Sequence, residues 1–148
     1  MRIALAADHA GYVLKDELAR WLSEQGHEVE DLDTNGPDSV DYPEFGARLA
    51  RAVAAGHADR GIAVCGSGIG IAVAINRNPK CRCAHVGEPL SAELARNHND
   101  ANVLALGARL VGPDMAKACV SAFLGSDFLG GRHQRRVDQL STLLQDSD

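Results

Sequence analysis

Short apolar runs alternate with longer amphipathic segments along the whole chain. The apolar runs span residues 1–8, 28–32, 61–65, 82–86 and 102–106, and their length is typical of β-strands. Between them, apolar residues recur three or four positions apart, as at Leu14, Leu18 and Leu22, which indicates helices. Gly26 follows the first of these helices, and Pro113 begins a later one.

This alternation predicts the fold. Five strand–helix units of about 30 residues each account for a single domain over residues 1–148. The predicted helices include 42–55, 91–97 and, after a pair of glycines, about 134–144. We therefore expect a Rossmann-like, three-layer α/β/α sandwich, in which helices cover both faces of a five-stranded parallel sheet with right-handed crossovers.

Folds of this kind bind their ligands beyond the carboxyl ends of the strands. The residues at those places are Asp8 and His9 after the first strand, 65–70 after the third, 87–88 after the fourth and 107–109 after the fifth. Asp8 or His9 can bind a sugar hydroxyl or a phosphate oxygen. The alternative is that Asp8 caps the following helix and that His9 is a surface residue.

The segment Cys65-Gly66-Ser67-Gly68-Ile69-Gly70 is the most informative turn in the sequence. Its three glycines free successive backbone N–H groups to converge on an anion, and the dipole of the following helix adds to them. A cysteine beside such amides is favoured as the thiolate. The segment has neither the spacing of a dinucleotide-binding fingerprint nor the lysine of a P-loop. The alternative is a buried strand cysteine next to a packing turn.

Two polar segments nearer the C-terminus could complete a site. His98-Asn99-Asp100 offers an imidazole that can donate a proton near neutral pH, and the alternative is a plain solvated turn. Residues 130–136 carry three arginines and a histidine, and Arg132 and Arg136 share a helix face suited to a phosphate. The alternative there is a solvated, basic helix start. Arg109 is a further candidate.

Charge and cysteine content exclude several classes of protein. A net charge of -5 argues against general nucleic-acid binding, so a site for an anionic ligand must concentrate its arginines locally. The first apolar run is too short for a secretion signal, and no stretch approaches the roughly 18 apolar residues of a membrane helix. The cysteines lack metal-finger spacing, so we expect reduced thiols, a cytoplasmic location and neither metal nor cofactor. They are Cys65, Cys81, Cys83 and Cys119.

Several dispersed motifs, in the right order, resemble one family over nearly the full length. They are ADHAG at 7–11, DYPEFG at 41–46, CGSGIGIA at 65–72, EPLSAELARNHNDANVLALGAR at 88–109 and GGRHQRRV at 130–137. The chain resembles the type B ribose-5-phosphate isomerases, which are grouped with the allose-6-phosphate and galactose-6-phosphate isomerases. Ser67 stands where many members have Thr, and Ile71 stands where a branch without the cysteine has Glu. Cys65 therefore places the chain with the members that use a thiol.

The resemblance implies a cofactor-free aldose–ketose isomerase of the pentose phosphate pathway, which interconverts ribose 5-phosphate and ribulose 5-phosphate. It implies that Cys65 is the base of the enediolate step and that His98 is the acid that opens the sugar ring. Family members are homodimers, and some are tetramers, with sites at the subunit interface. The 98–99 segment, the C-terminal arginines and the last helix are thereby implied to reach a partner. The substrate-binding residues that it implies are Asp8, His9, Tyr42, Gly66, Ser67, Gly68, Ile69, Gly70, Asn99, Arg109, Arg132 and Arg136.

Three other functions stay open on the sequence. An isomerase of a six-carbon substrate, allose 6-phosphate or galactose 6-phosphate, would need only small changes in the pocket. A phosphosugar- or nucleotide-binding module without catalysis would keep the glycine turn and the arginines but would have no use for Cys65 and His98. A thiol redox protein would want a resolving cysteine near Cys65, and none is close in sequence.

Overall fold

The computed structural model describes residues 1–33 and 36–143, which form one parallel sheet flanked by helices. The strands are β1 (Arg2–Ala7), β2 (Glu28–Asp31), β3 (Arg60–Cys65), β4 (Cys83–His85) and β5 (Val103–Gly107). The helices are α1 (Tyr12–Glu24), α2 (Tyr42–Ala54), α3 (Ile69–Ile75), α4 (Pro89–Asn99), α5 (Pro113–Leu124) and α6 (Arg132–Thr142). Of the helices in these two ranges, none has the length and apolar character that a membrane span requires.

The sheet has the strand order β2-β1-β3-β5-β4, and every neighbouring pair is parallel. Strand β3 lies at the centre, and its last residue, Cys65, is paired with Gly107 at the end of β5. A central strand that is buried on both faces has a continuous apolar sequence, which explains the unbroken run at 61–65. The predicted Rossmann-like, three-layer α/β/α sandwich with a five-stranded parallel sheet is confirmed.

Side chains on alternate positions of each strand point to opposite faces of the sheet and build two cores. Ile62 and Leu104 belong to the core that α1, α4 and α5 cover. Ala63 and Ala105 face the other way, into the core that α2 and α3 cover, and Cys65 shares that side. The thiol is therefore placed between the end of the central strand and the two helices on this face.

Strand β4 is shorter than the predicted 82–86. It lies at the edge of the sheet, so only one of its sides is paired with another strand. On the other side, the Asn76 amide takes the place of a neighbouring strand. Its Oδ1 accepts a hydrogen bond from Cys83 N–H over 2.8 Å, and its Nδ2 donates to the Cys83 carbonyl over 2.9 Å. The Asn76 amide thus satisfies the unpaired side of the edge strand at its first residue, Cys83.

Helices α4 and α6 begin earlier than the predicted 91 and 134. Glu88 starts α4 because its carboxylate accepts hydrogen bonds from the N–H groups of Leu90 and Ser91, over 2.7 and 2.9 Å. Helix α6 starts at Arg132, directly after two glycines that both have positive φ. The predicted last residue of that helix, Leu144, lies outside the described residues.

Candidate active site

The turn that follows β3 closes around the sulfur of Cys65. The Gly68 N–H donates a hydrogen bond to Cys65 Sγ over 3.1 Å. The Ile69 N–H donates to Ser67 Oγ, also over 3.1 Å, as the chain enters α3. Cys65 is only 4% exposed within the chain. A main-chain amide of the turn is therefore in direct contact with the thiol, as the glycine pattern predicts.

Two glycines allow this turn to pass against the end of β5. Gly68 has a φ of +80°, and a Cβ there would lie 2.7 Å from the carbonyl carbon of Leu106. A Cβ on Gly107 would lie 2.4 Å from the carbonyl oxygen of Ser67. Sequence reasoning identified the first glycine but not this role of the second. The available signal was a glycine at the last position of an otherwise apolar strand.

Arg109 brings a positive charge to the same turn. Its guanidinium lies over Gly66, so that a Cβ there would be 3.3 Å from one terminal nitrogen of the arginine. Two backbone bonds hold the loop in place: Ala108 N–H donates to the Cys65 carbonyl over 2.9 Å, and Arg109 N–H donates to the Gly66 carbonyl over 3.0 Å. The side chain is exposed, so this charge is available to an anionic ligand at the turn.

Asp8 and His9 lie at the end of β1, next to the central strand. The buried Asp8 accepts hydrogen bonds at Oδ1 from the N–H groups of Ala10 and Gly11, over 2.9 and 3.1 Å. One carboxylate oxygen therefore organises the turn before α1, but Asp8 does not cap the helix, because the N-cap residue is Gly11 and has no side-chain cap. His9 Nδ1 accepts a hydrogen bond from Val40 N–H over 3.1 Å. Nδ1 is thus unprotonated in this arrangement, and Nε2 carries the N–H that can donate to a ligand.

Tyr42, the first residue of α2, extends the site on the side of α3. A Cβ on Gly70 would lie 2.7 Å from a ring carbon of Tyr42, so the absence of a side chain at 70 lets the ring rest on the helix start. The tyrosine is 42% exposed. The carboxyl edge of the sheet therefore brings together the first group of predicted site residues. This Cys65 group consists of Asp8, His9, Tyr42, Cys65, Gly66, Ser67, Gly68, Ile69, Gly70 and Arg109.

The other predicted site residues form a second group around His98, in the last turn of α4. The His98 ring stacks on that of His133, with centroids 4.3 Å apart and planes 12° from parallel. A hydrogen bond of 3.0 Å from Leu129 N–H to the Asn97 carbonyl holds the start of α6 beside this turn. Sequence reasoning did not single out His133. This His98 group consists of His98, Asn99, Arg132, Arg136 and the added His133.

Within one chain the two groups lie at opposite ends of the parallel strands. The Cys65 group is at the carboxyl ends, and the His98 group is at the amino ends. Cys65 is paired with Gly107, at the carboxyl end of β5. Helix α4 runs back across the sheet and ends at Asn99, just before β5 begins at Val103. At the usual rise per residue, β5 alone separates the two ends by about 13 Å. A single chain therefore does not bring His98 to the sulfur of Cys65.

The other cysteines differ from Cys65 in their surroundings. Burial raises the pKa of Cys83 to about 12, and burial also raises the pKa values of Cys81 and Cys119. Cys81 acts as a hydrogen-bond donor, from its sulfur to the Ala50 carbonyl over 3.4 Å. These three thiols are held protonated, whereas the Cys65 sulfur accepts a hydrogen bond. Within the part of the chain that the structure describes, no three His, Cys, Asp or Glu side chains are grouped to hold a metal ion.

Comparison with known proteins places the chain in a family. Residues 3–140 match the ribose/galactose isomerases. The chain belongs to this family. Ribose-5-phosphate isomerase B of Escherichia coli (strain K12) is 45% identical over 144 residues, which cover 97% of each chain.

Solved structures of the family show the same architecture. Ribose-5-phosphate isomerase B of Clostridium thermocellum has a TM-score of 0.97 at 46% identity, with 98% of each chain covered. The enzyme of Mycoplasma genitalium, solved with bound ribulose 5-phosphate, has a TM-score of 0.94 at 36% identity, covering 99% of this chain and 97% of that one. The resemblance deduced from the five motifs is therefore confirmed, and with it the prediction of an isomerase.

Proposed function

We propose that this chain interconverts ribose 5-phosphate and ribulose 5-phosphate, with Cys65 as the base. The observation that carries the proposal is the hydrogen bond from Gly68 N–H to Cys65 Sγ, inside a glycine turn at the end of the central strand. A hydrogen bond from a main-chain amide is stronger to a charged acceptor than to a neutral one. The turn is therefore built to accommodate negative charge at and beside the sulfur.

The chemistry needs both a base and a place for negative charge. Cys65 removes the proton from C2 of the open-chain aldose, and the charge of the resulting enediolate is shared by O1 and O2. When Cys65 returns a proton to C1, either the one it removed or one that it has exchanged with solvent, and the hydroxyl proton moves from O2 to O1, the ketose is formed. Backbone N–H groups of residues 66–70 would stabilise the enediolate, and one such donor is typically worth about 3 kcal/mol in a transition state.

Binding of the phosphate is assigned to the exposed arginines. The chain carries a net charge of -5, so a phosphorylated sugar is attracted only where positive groups are concentrated. Arg109 lies at the Cys65 group, whereas Arg132 and Arg136 are exposed on the first turns of α6, in the His98 group. A planar guanidinium can bind a phosphate through two hydrogen bonds, which gives orientation as well as affinity.

We infer that the complete site forms between two copies of the chain. The Cys65 group and the His98 group lie at opposite ends of the strands of one sheet, so neither end alone offers both the base and the ring-opening acid. A two-fold homodimer would bring the partner subunit's His98, Asn99, Arg132 and Arg136 to the Cys65 turn, and would form two such sites. We also retain a cytoplasmic location, which suits a phosphorylated substrate and keeps the Cys65 thiol reduced.

Mixing two inactive variants tests both the base and the shared site. Cys65→Ala and His98→Asn should each be inactive in the conversion of ribose 5-phosphate. After the two are mixed, unfolded and refolded together, half of the dimers combine one chain of each kind and hold one intact site of two. Activity should then reach about one quarter of the wild-type value.

Three results would contradict parts of this proposal. Near-normal turnover by Cys65→Ala would mean that the base is wrongly assigned. No recovery on mixing, with mixed dimers present by native mass spectrometry, would mean that the site is not shared. A wild-type protein that binds ribose 5-phosphate without forming ribulose 5-phosphate would be the non-catalytic module. Values of kcat/KM on ribose 5-phosphate, allose 6-phosphate and galactose 6-phosphate decide between the five-carbon and six-carbon substrates.

A further inference from the structure

The His98 group contains a contact between two rings that the enediolate chemistry does not use. The His98 and His133 rings lie nearly parallel, 12° apart, with centroids separated by 4.3 Å. Both side chains are partly buried. Two stacked aromatic rings at this separation restrict each other's rotation, and such pairs contribute beyond the area that they bury.

The two rings come from different helix ends. His98 is in the last turn of α4, and His133 is the second residue of α6. The backbone between the helices is firmly placed. Leu129 N–H binds the Asn97 carbonyl over 3.0 Å, and His133 N–H binds the Gly130 carbonyl over 3.0 Å. The stack is therefore set by main-chain contacts on both sides, and its geometry does not depend on long, flexible side chains.

Local electrostatics separate the roles of the two rings. Positive charge is favoured in the last turn of a helix and disfavoured in the first. The pKa of His133 is lowered, first by desolvation and then by the positive charges of His98, Arg132 and Arg136. A neutral His133 ring presents a π face to its neighbour, and a protonated imidazole is attracted to such a face. The electrostatics therefore favour a neutral His133 ring in the stack.

We propose that His133 is a positioning residue, whose stacked ring holds the His98 imidazole in the orientation from which it opens the cyclic form of the substrate. This inference rests on the proposed function. In the ring-opening step, His98 gives a proton to the ring oxygen O4 while the C1–O4 bond breaks. The anomeric hydroxyl passes its proton to water as C1 becomes an aldehyde, and His98 is reprotonated from solvent.

The substrate chemistry allows ring opening to be measured separately from proton transfer at carbon. Ribose 5-phosphate closes to a furanose through O4. Ribulose 5-phosphate is open-chain, because the hydroxyl that would close its ring carries the phosphate. In D2O, exchange of a C1 hydrogen of ribulose 5-phosphate for deuterium needs the base and the enediolate but no ring opening. Proton NMR follows this exchange, and a coupled assay follows formation of ribulose 5-phosphate from ribose 5-phosphate.

The test compares His133→Ala, which removes the stack, with His133→Phe, which keeps a stacked ring without a titrating nitrogen. His133→Ala should convert ribose 5-phosphate about tenfold or more slowly, while the exchange rate stays within about twofold of wild type. His133→Phe should keep most of both rates. Gln134→Ala, on the same helix turn and outside the proposed site, is the matched control and should keep both.

Each other outcome overturns the assignment. It fails if His133→Ala converts ribose 5-phosphate at the wild-type rate, or if it loses both rates while its melting temperature is unchanged. It also fails if His133→Phe loses conversion of ribose 5-phosphate and keeps exchange. If His133→Ala does not fold, the result for His133→Phe decides the question by itself. Failure of the proposed function looks different: Cys65→Ala would then keep exchange, or His98→Asn would keep conversion.

Discussion

A single methyl group at Gly68 should destabilise the protein more than the same group at Gly56. Both glycines have left-handed backbone, with φ of +80° and +78°. A Cβ on Gly56 would meet nothing within 4 Å, so Gly56→Ala costs only the backbone strain of a non-glycine residue there, about 1 kcal/mol. Gly68→Ala carries that cost and a steric clash as well.

The clash at Gly68 involves main-chain atoms, which have little freedom to move. The added Cβ would lie 2.7 Å from the Leu106 carbonyl carbon and 2.9 Å from Gly107 N. Overpacking of this kind costs about 2 kcal/mol, so the total for Gly68→Ala is about 3 kcal/mol. Gly107→Ala isolates the clash, since its Cβ would lie 2.4 Å from the Ser67 carbonyl oxygen and its φ is not positive. We expect it to cost about 2 kcal/mol.

Urea unfolding followed by circular dichroism, at one fixed protein concentration, measures these differences. In thermal unfolding of a chain of this size, the melting temperature should fall by about 3 °C for Gly56→Ala and about 9 °C for Gly68→Ala. Gly68→Ala should also lower kcat, because the amide on Cys65 Sγ is displaced, whereas Gly56→Ala should not. Equal losses of unfolding free energy in the two variants would refute the close contact between the turn after β3 and the end of β5.

Three further predictions concern charged groups. Lys15→Met should lower the unfolding free energy by about 3 kcal/mol, because the fully buried ammonium lies 2.7 Å from Asp31. Lys117→Met, at a half-buried pair with Glu17, should change it by less than about 1 kcal/mol in the same urea titration. The folded chain lowers the pKa of His133, so the unfolded chain binds more protons and stability should fall as the pH drops below about 6.5. The fall should be less steep in His133→Phe. Urea midpoints at pH 7.5 and 5.5 measure the difference. Arg136→Ala should raise KM for ribose 5-phosphate about tenfold or more with a smaller change in kcat, and unchanged KM in steady-state kinetics would remove Arg136 from phosphate binding.

The turn at Cys65 was predictable because it depends on residues that are adjacent in the chain. A buried run ending in a cysteine, followed by three glycines and a helical pattern, specifies both the strand end and the backbone freedom after it. The parallel-sheet rule then places Asp8, His9 and Arg109 at the same edge. In the structure that edge does hold all of these residues, and Gly68 N–H lies on the sulfur.

Other features depend on which distant segments meet, and the pattern of apolar residues carries no information about that. The sequence pattern makes Lys15 part of an amphipathic helix, yet its ammonium is fully buried against Asp31, at the end of the next strand. The stack of His98 on His133 joins two helices whose packing follows from the path of the chain after α5. Nothing local to either histidine indicates the other.

The amino-acid sequence by itself determined the order of strands and helices, the glycine turn with its thiol, and the family, since each depends on local periodicity or on ordered motifs. The family resemblance implied that the segment with His98 and the C-terminal arginines reach a partner, but only the tertiary structure gives the geometric reason, by dividing the predicted site residues between the two ends of the strands. A parallel strand separates its ends by its full length, and α4 carries His98 back to the end opposite Cys65. That separation is a property of the folded chain, and it is the reason why we assign the complete site to two copies.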